Sequence, residues 1–250
     1  MLSKSQIKKV RSLHLKKNRK ANGLFVAEGN INVTDLLESD LKLEHLYATD
    51  RWITGHPEMA EKYHAEKVSA KEMEMMTLLK TPSEVLAVFQ LPETSTFNPE
   101  EIVDYILMLD NIKDPGNLGT IIRTADWFGI KNIVCSPETV DVFNPKVVQA
   151  TMGSLARVGV HYIDLPEFLT SVNNLNIYGA FLNGSPVDKV EKTGKGIIVV
   201  GSEAHGISRE VEKLITHRIT IPSFGQKEKG AESLNASIAT AILCYEFRRR

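Results

Sequence analysis

Six apolar runs of strand length, Tyr105–Leu109, Asn132–Cys135, Val158–Ile163, Ile177–Leu182, Ile197–Val200 and Arg218–Ile221, alternate with amphipathic stretches through the second half of this chain. A strand buried on both faces is apolar throughout, and parallel neighbours need a crossover between them. The rhythm therefore predicts an α/β domain, a parallel sheet covered by helices on both faces. Ligands of such sheets bind outside the carboxyl ends of the strands, so the residues that follow each run are the ones to search.

The chain before Leu91 mixes helix-like stretches, Ser5–Leu15 and Ile31–Glu38, with short strands at His45–Ala48 and Val85–Phe89, and reads as a small α/β domain. The polar segment Pro92–Glu101, bracketed by prolines, predicts an extended linker. The expected division is residues 1–92, a linker at 93–102, and 103–250, in keeping with a chain of 250 residues. No apolar run approaches the roughly 20 residues of a membrane helix. Met1-Leu2-Ser3-Lys4 leads into basic residues without the apolar core of a secretory signal, so a cytosolic location is expected. Cys135 and Cys244 lie in apolar runs without paired spacing, which predicts buried reduced thiols and neither a disulfide nor a zinc site.

Net charge is −1, yet the distribution is uneven. Lys8, Lys9, Arg11, Lys16, Lys17, Arg19 and Lys20 follow Lys4 with no acidic residue among them, and the chain closes on Arg248-Arg249-Arg250. Such clusters suit a phosphate backbone, although a solvated helix face would look the same.

Three turns carry candidate chemistry. After Leu109 comes Asp110-Asn111-Ile112-Lys113-Asp114-Pro115-Gly116-Asn117-Leu118-Gly119, then a helix whose apolar face is Leu118, Ile121, Ile122, Ala125 and Phe128, leaving Arg123 pointing away from the core. After Val200 comes Gly201-Ser202-Glu203-Ala204-His205-Gly206, where glycines permit close approach to the backbone and Glu203 supplies an anion. His205 reads as an incidental turn residue. The turn matches neither a dinucleotide fingerprint nor a P-loop. After Ile221-Pro222 a loop containing Gly230 leads to Ser233-Leu234-Asn235, where Ser233 is the expected N-cap of a helix packed through Leu234, Ile238, Ala241, Ile242 and Tyr245.

In this order and spacing, Asn117 with Arg123, then Gly201, Glu203 and Gly206, then Ile221-Pro222 with Ser233-Leu234-Asn235 resemble the three motifs of the SpoU/TrmH family of SPOUT methyltransferases. Gly23-Leu24-Phe25-Val26-Ala27-Glu28-Gly29 resembles the opening of that family's substrate-binding domain, which is similar to a small RNA-gripping ribosomal-protein fold. Many relatives carry Arg where this chain has Gln149, after Asn144-Pro145-Lys146.

The resemblance implies a C-terminal SPOUT domain with a trefoil knot. It also implies S-adenosylmethionine held at Gly201, Gly206, Ile221, Pro222 and Leu234, and a homodimer to which the last helix contributes. The implied reaction is 2′-O-methylation of ribose in structured RNA, expected to be ribosomal. Arg123 is then the central catalytic residue, while Asn117, Glu203, Ser233 and Asn235 orient substrate or arginine. Lys8, Lys9, Arg11, Lys17, Arg19, Lys20 and Lys146 are the expected RNA contacts. Because arginine keeps its proton up to a pKa above about 12, a clamp on phosphate and developing oxyanion suits Arg123 better than a free base. A phosphate oxygen or water would take the proton. No metal is required. The alternatives are the same reaction on transfer RNA, a non-catalytic RNA-binding or ribosome-assembly factor, and a generic nucleotide-binding α/β enzyme.

Overall fold

The computed structural model describes residues 2–93, 97–225 and 232–249. Their contacts divide the chain into two compact units, residues 1–93 with 141–156, and residues 94–140 with 157–250.

In the N-terminal unit the strands β1 (Leu24–Glu28), β2 (Leu43–Ala48), β3 (Glu66–Lys67) and β4 (Val85–Gln90) form one sheet in the order β1-β4-β2-β3. Only the β2·β3 pair is parallel. β1 is buried along its whole length, and its side chains alternate between two cores. Phe25 and Ala27 join Val33, Leu36, Trp52 and Val148, whereas Leu24 and Val26 join Val10, Leu13, Met73 and Met76. The expected first helix is present as Lys4–Ser12, started by a Ser3/Gln6 capping box and ending three residues short of Leu15, and a second helix that was not expected, Lys16–Asn22, follows it. Gly23, at φ 65°, ends the second one in the left-handed region that glycine adopts without strain.

In the C-terminal unit six strands, β5 (Tyr105–Asp110), β6 (Asn132–Cys135), β7 (Gly159–Tyr162), β8 (Ile177–Pro186), β9 (Gly196–Gly201) and β10 (His217–Thr220), form the expected parallel sheet in the order β10-β8-β9-β5-β6-β7. The strand order reverses between β5 and β9, which makes their carboxyl ends the place for a ligand. One face packs Ile106, Met108, Val134, Ile197 and Val199 against Phe168, Leu169 and Val211. Helices Pro115–Trp127 and Ala236–Arg248 pack against each other and against strands β6 and β9 respectively. Helix Pro115–Trp127 buries Leu118, Ile121, Ile122 and Ala125, as its periodicity predicts.

The last helix departs from expectation. It buries Ala236, Ser237, Thr240, Leu243, Cys244 and Phe247, and leaves Ile238 and Tyr245 about half exposed, at 51% and 55%. The helix is apolar on two sides, and the face with the smaller residues near its start, which admit close helix packing, is the one turned inward.

Phe97 is buried, its ring stacked 4.7 Å from that of His161, and a short turn at Pro99–Glu101 is capped by Asn98. From residue 97 onward the expected linker is therefore part of the C-terminal unit's packing. Residues 141–156, expected within the C-terminal domain, place Val148 in the N-terminal core. Both cysteines are buried and unpaired. Among the described residues no helix is long and apolar enough to cross a membrane.

Candidate active site

β5 ends on Asp110, and Asn111, at φ 65°, turns the chain toward the next helix. Asp114 caps that helix, accepting from Asn117 N at 2.8 Å, and Pro115 opens it where no N–H is needed. The cap holds Asn117 in the first turn, beside the end of the sheet.

Asn117 is the middle of a hydrogen-bonded line. Its Nδ2 donates to Glu203 Oε1, and its Oδ1 accepts from Asn235 Nδ2 at 3.0 Å. The polarity of this line is fixed from both ends. A carboxylate can only accept, which turns the Asn117 amine toward Glu203. Asn235 Oδ1 is occupied by Ser237 N at 3.0 Å and Ser237 Oγ at 2.6 Å, so its amine must face Asn117. Three segments far apart in sequence thus meet at the carboxyl side of the sheet.

Glu203 stands on a tight loop. Ser202 N donates to Gly206 O at 3.1 Å, Gly206 N to Ser202 O at 2.8 Å, and His205 N to Ser202 Oγ at 3.2 Å. A Cβ on Gly201 would lie 2.1 Å from the Gly206 carbonyl carbon, so only glycine lets the loop fold back this closely. Gly206 itself is at φ +67°, with nothing within 4 Å of where its Cβ would be. His205 is exposed.

Arg123 is exposed, on a stripe with Gly116, Thr120 and Trp127, and makes no hydrogen bond or ion pair among the described residues. Six residues after Asn117 on one helix, it lies about 120° around and roughly 9 Å along the axis, outside the hydrogen-bonded line. Ser233 is also outside it, and its expected capping role is corrected: Asn235 is the N-cap, because the helix starts at Ala236. Ile221 is half-buried, whereas Pro222 and Leu234 are exposed. The loop residues 226–231, including Gly230, lie outside the described residues.

Of the expected RNA contacts, Lys8, Lys9, Arg11, Lys17, Lys20 and Lys146 are exposed. Arg19 is a correction: it is 2% exposed and donates to Leu13 O at 2.8 Å, His14 O at 2.9 Å and Asp141 Oδ2 at 2.6 Å. It faces inward because Lys16–Asn22 has one inner face and Arg19 occupies it, with carbonyls and a carboxylate accepting its hydrogen bonds. Gln149 Oε1 accepts from Asn32 Nδ2 at 3.3 Å, so it is engaged within the N-terminal unit.

Sequence reasoning missed Asp114, although Asp before Pro at a helix start is a legible N-cap signal. It also missed Asp141, which no local pattern marks as a partner for Arg19.

Residues 104–245 match the model of the SpoU rRNA methylase family, and residues 4–87 match an MRM3-like substrate binding domain. A 23S rRNA (guanosine(2553)-2′-O)-methyltransferase of Bacillus subtilis, RlmP, is 30% identical over 97% of this chain and 96% of its own. A TrmH-family structure from Porphyromonas gingivalis superposes with a TM-score of 0.86 at 38% identity, covering 100% of this chain and 99% of that one. An AdoMet-bound rRNA methyltransferase from Sinorhizobium meliloti does so with a TM-score of 0.86 at 29% identity, covering 100% of this chain and 96% of its own. The sheet order, the three converging motifs and these matches agree, and the chain belongs to the SpoU rRNA methylase family.

Proposed function

We propose that this protein methylates a ribose 2′-hydroxyl of ribosomal RNA with S-adenosylmethionine as donor. The observation that carries the reading is the Glu203–Asn117–Asn235 line at the sheet's switch point, with an unpaired Arg123 on the helix that holds its middle residue.

The residues present fit the donor. Gly206 leaves its backbone open, while Pro222 and Leu234 offer exposed surface at and beyond the carboxyl ends of the strands. Gly201, Gly206, Ile221, Pro222 and Leu234 would hold it. When bound, the donor supplies a methyl group on a positively charged sulfur.

The chain's own residues then have two tasks. A ribose hydroxyl is almost wholly protonated at neutral pH, so the site must stabilise the oxygen as it loses its proton. Arg123 offers a planar fork of donors that can grip a phosphate and the developing oxyanion together. It stays protonated, and a phosphate oxygen or water takes the hydroxyl proton. Glu203 Oε2, without a partner among the described residues, is left to accept a hydrogen bond from the substrate. Asn117, itself held by Asn235, fixes that carboxylate in place, and Ser233 stands two residues before Asn235. Orientation of this kind supplies much of the rate in a displacement.

The exposed lysines of the N-terminal unit would grip the RNA backbone. In this reading the protein is a cytosolic homodimer, its interface built on Ile238 and Tyr245, with Trp127 exposed on the neighbouring helix. The trefoil knot would form around the segments that follow β9.

The test uses full-length protein, labelled S-adenosylmethionine and purified ribosomal and transfer RNA, with mass-spectrometric mapping of ribose methylation. Arg123→Ala and Arg123→Lys should bind the donor normally and lose roughly 10²-fold or more in single-turnover rate, as when a preorganised oxyanion donor is removed. Transfer to transfer RNA alone would overturn the choice of substrate. Near-wild-type turnover in both variants would remove Arg123 from the mechanism.

A further inference from the structure

We propose that Asp110 is a positioning residue for methyl transfer, holding both ends of the loop 201–208 that presents Glu203 and the glycine backbone. This inference rests on the reading of that loop as part of the donor site.

Asp110 is the last residue of β5 and only 5% exposed. Its backbone lies in register beside Gly201, where the loop begins, and its Oδ2 accepts from Ser208 N at 2.7 Å, where the loop ends. It has no cationic partner among the described residues. A buried carboxylate is costly unless hydrogen-bonded, so a residue of this kind at a strand end needs a reason to be there. The loop supplies one. Between the two points of attachment it is braced by its own Ser202–Gly206 and His205–Ser202 bonds, and it therefore moves as one piece. Asn117 fixes the exposed tip through Glu203, and Asp110 fixes the base. Without the bond from Ser208 the far end of the loop loses its polar tie to β5 and is held only by buried Ile207 and the helix Arg209–Glu212 that follows, so Glu203 is held less firmly in one place.

Three single variants and one double variant of the full-length protein test this. Asp110→Ala removes the acceptor. Ser208→Pro removes the donor at a residue whose φ, −62°, is already that of proline. Asp110→Asn keeps an acceptor oxygen. We expect Asp110→Ala and Ser208→Pro each to weaken S-adenosylmethionine binding, measured by calorimetry, by about tenfold, the scale of one charge-assisted hydrogen bond. Their single-turnover rates at saturating donor and RNA should also fall, while RNA affinity stays at the wild-type value. Asp110→Asn should come within about threefold of wild type, because a neutral acceptor retains much of the bond. The double variant Asp110→Ala/Ser208→Pro should be no weaker than the worse single one, since one bond is lost in both.

Wild-type donor affinity and turnover in Asp110→Ala overturns the proposal, as does a double variant whose loss is the product of the two single losses. If Asp110→Ala does not fold, Ser208→Pro decides alone, and wild-type behaviour in that variant overturns it. Failure of the unmodified protein to bind S-adenosylmethionine would instead remove the reading of the site itself.

Discussion

Replacing Arg19 by alanine separates packing from RNA recognition within one basic run. The change deletes three hydrogen bonds, leaving Leu13 O and His14 O without that donor and Asp141, whose side chain is 18% exposed, without its cation. Removing one member of a buried ion pair costs about 3–5 kcal/mol, and the partial access of water to Asp141 favours the lower end, about 3 kcal/mol. At about 4 °C per kcal/mol for a unit of this size, the N-terminal unit should melt roughly 12 °C lower. The assay is thermal unfolding, paired with RNA affinity against salt at a temperature where both proteins are folded. Arg19→Ala should leave the slope of log affinity against log salt unchanged. Exposed Lys17→Ala should flatten that slope by about 0.7–0.9 with little change in melting temperature. An Arg19→Ala protein that melts like wild type and flattens the slope would refute this account.

Two further outcomes are expected. A fragment beginning at residue 97 keeps residues 141–156 but loses the core that buries Val148, so it should bind a hydrophobic dye and aggregate. Val148→Ser should relieve this, and a dye-silent, monodisperse parent fragment would count against the assignment of 141–156. Burial pushes the Glu28 carboxyl above its ordinary value of 4.5, against the opposing hydrogen bonds from Thr77 and Leu78. Its contribution to stability is therefore complete below that value and lost as pH rises through the raised folded value. Urea unfolding of Glu28→Gln from acid to neutral pH should show a weaker decline than wild type, and parallel curves would contradict it.

How far the sequence could be read depended on the range of the contacts involved. β5, β6 and β9 were legible because strands buried on both faces are apolar residue after residue, and Leu118, Ile121, Ile122 and Ala125 mark one face of a helix by spacing alone. The site's members were legible through motif order, but the line joining Glu203, Asn117 and Asn235 was not, since no local signal says which amide meets which carboxylate. Arg19 was misread for the same reason, its partner Asp141 lying 122 residues away. In the last helix two apolar stripes compete, and periodicity cannot tell which one a neighbouring helix will cover.

The split membership of residues 141–156 also has a bearing on biosynthesis. The core around Phe25, Trp52 and Phe89 is closed by Val148, so the N-terminal unit cannot be completed when its last contiguous residue leaves the ribosome. Residues 94–156 must follow first, which takes on the order of 3–13 s at about 5–20 residues per second. During that interval β5 and β6 emerge into a chain whose first unit is still open on one side, and the nascent protein exposes both incomplete surfaces together.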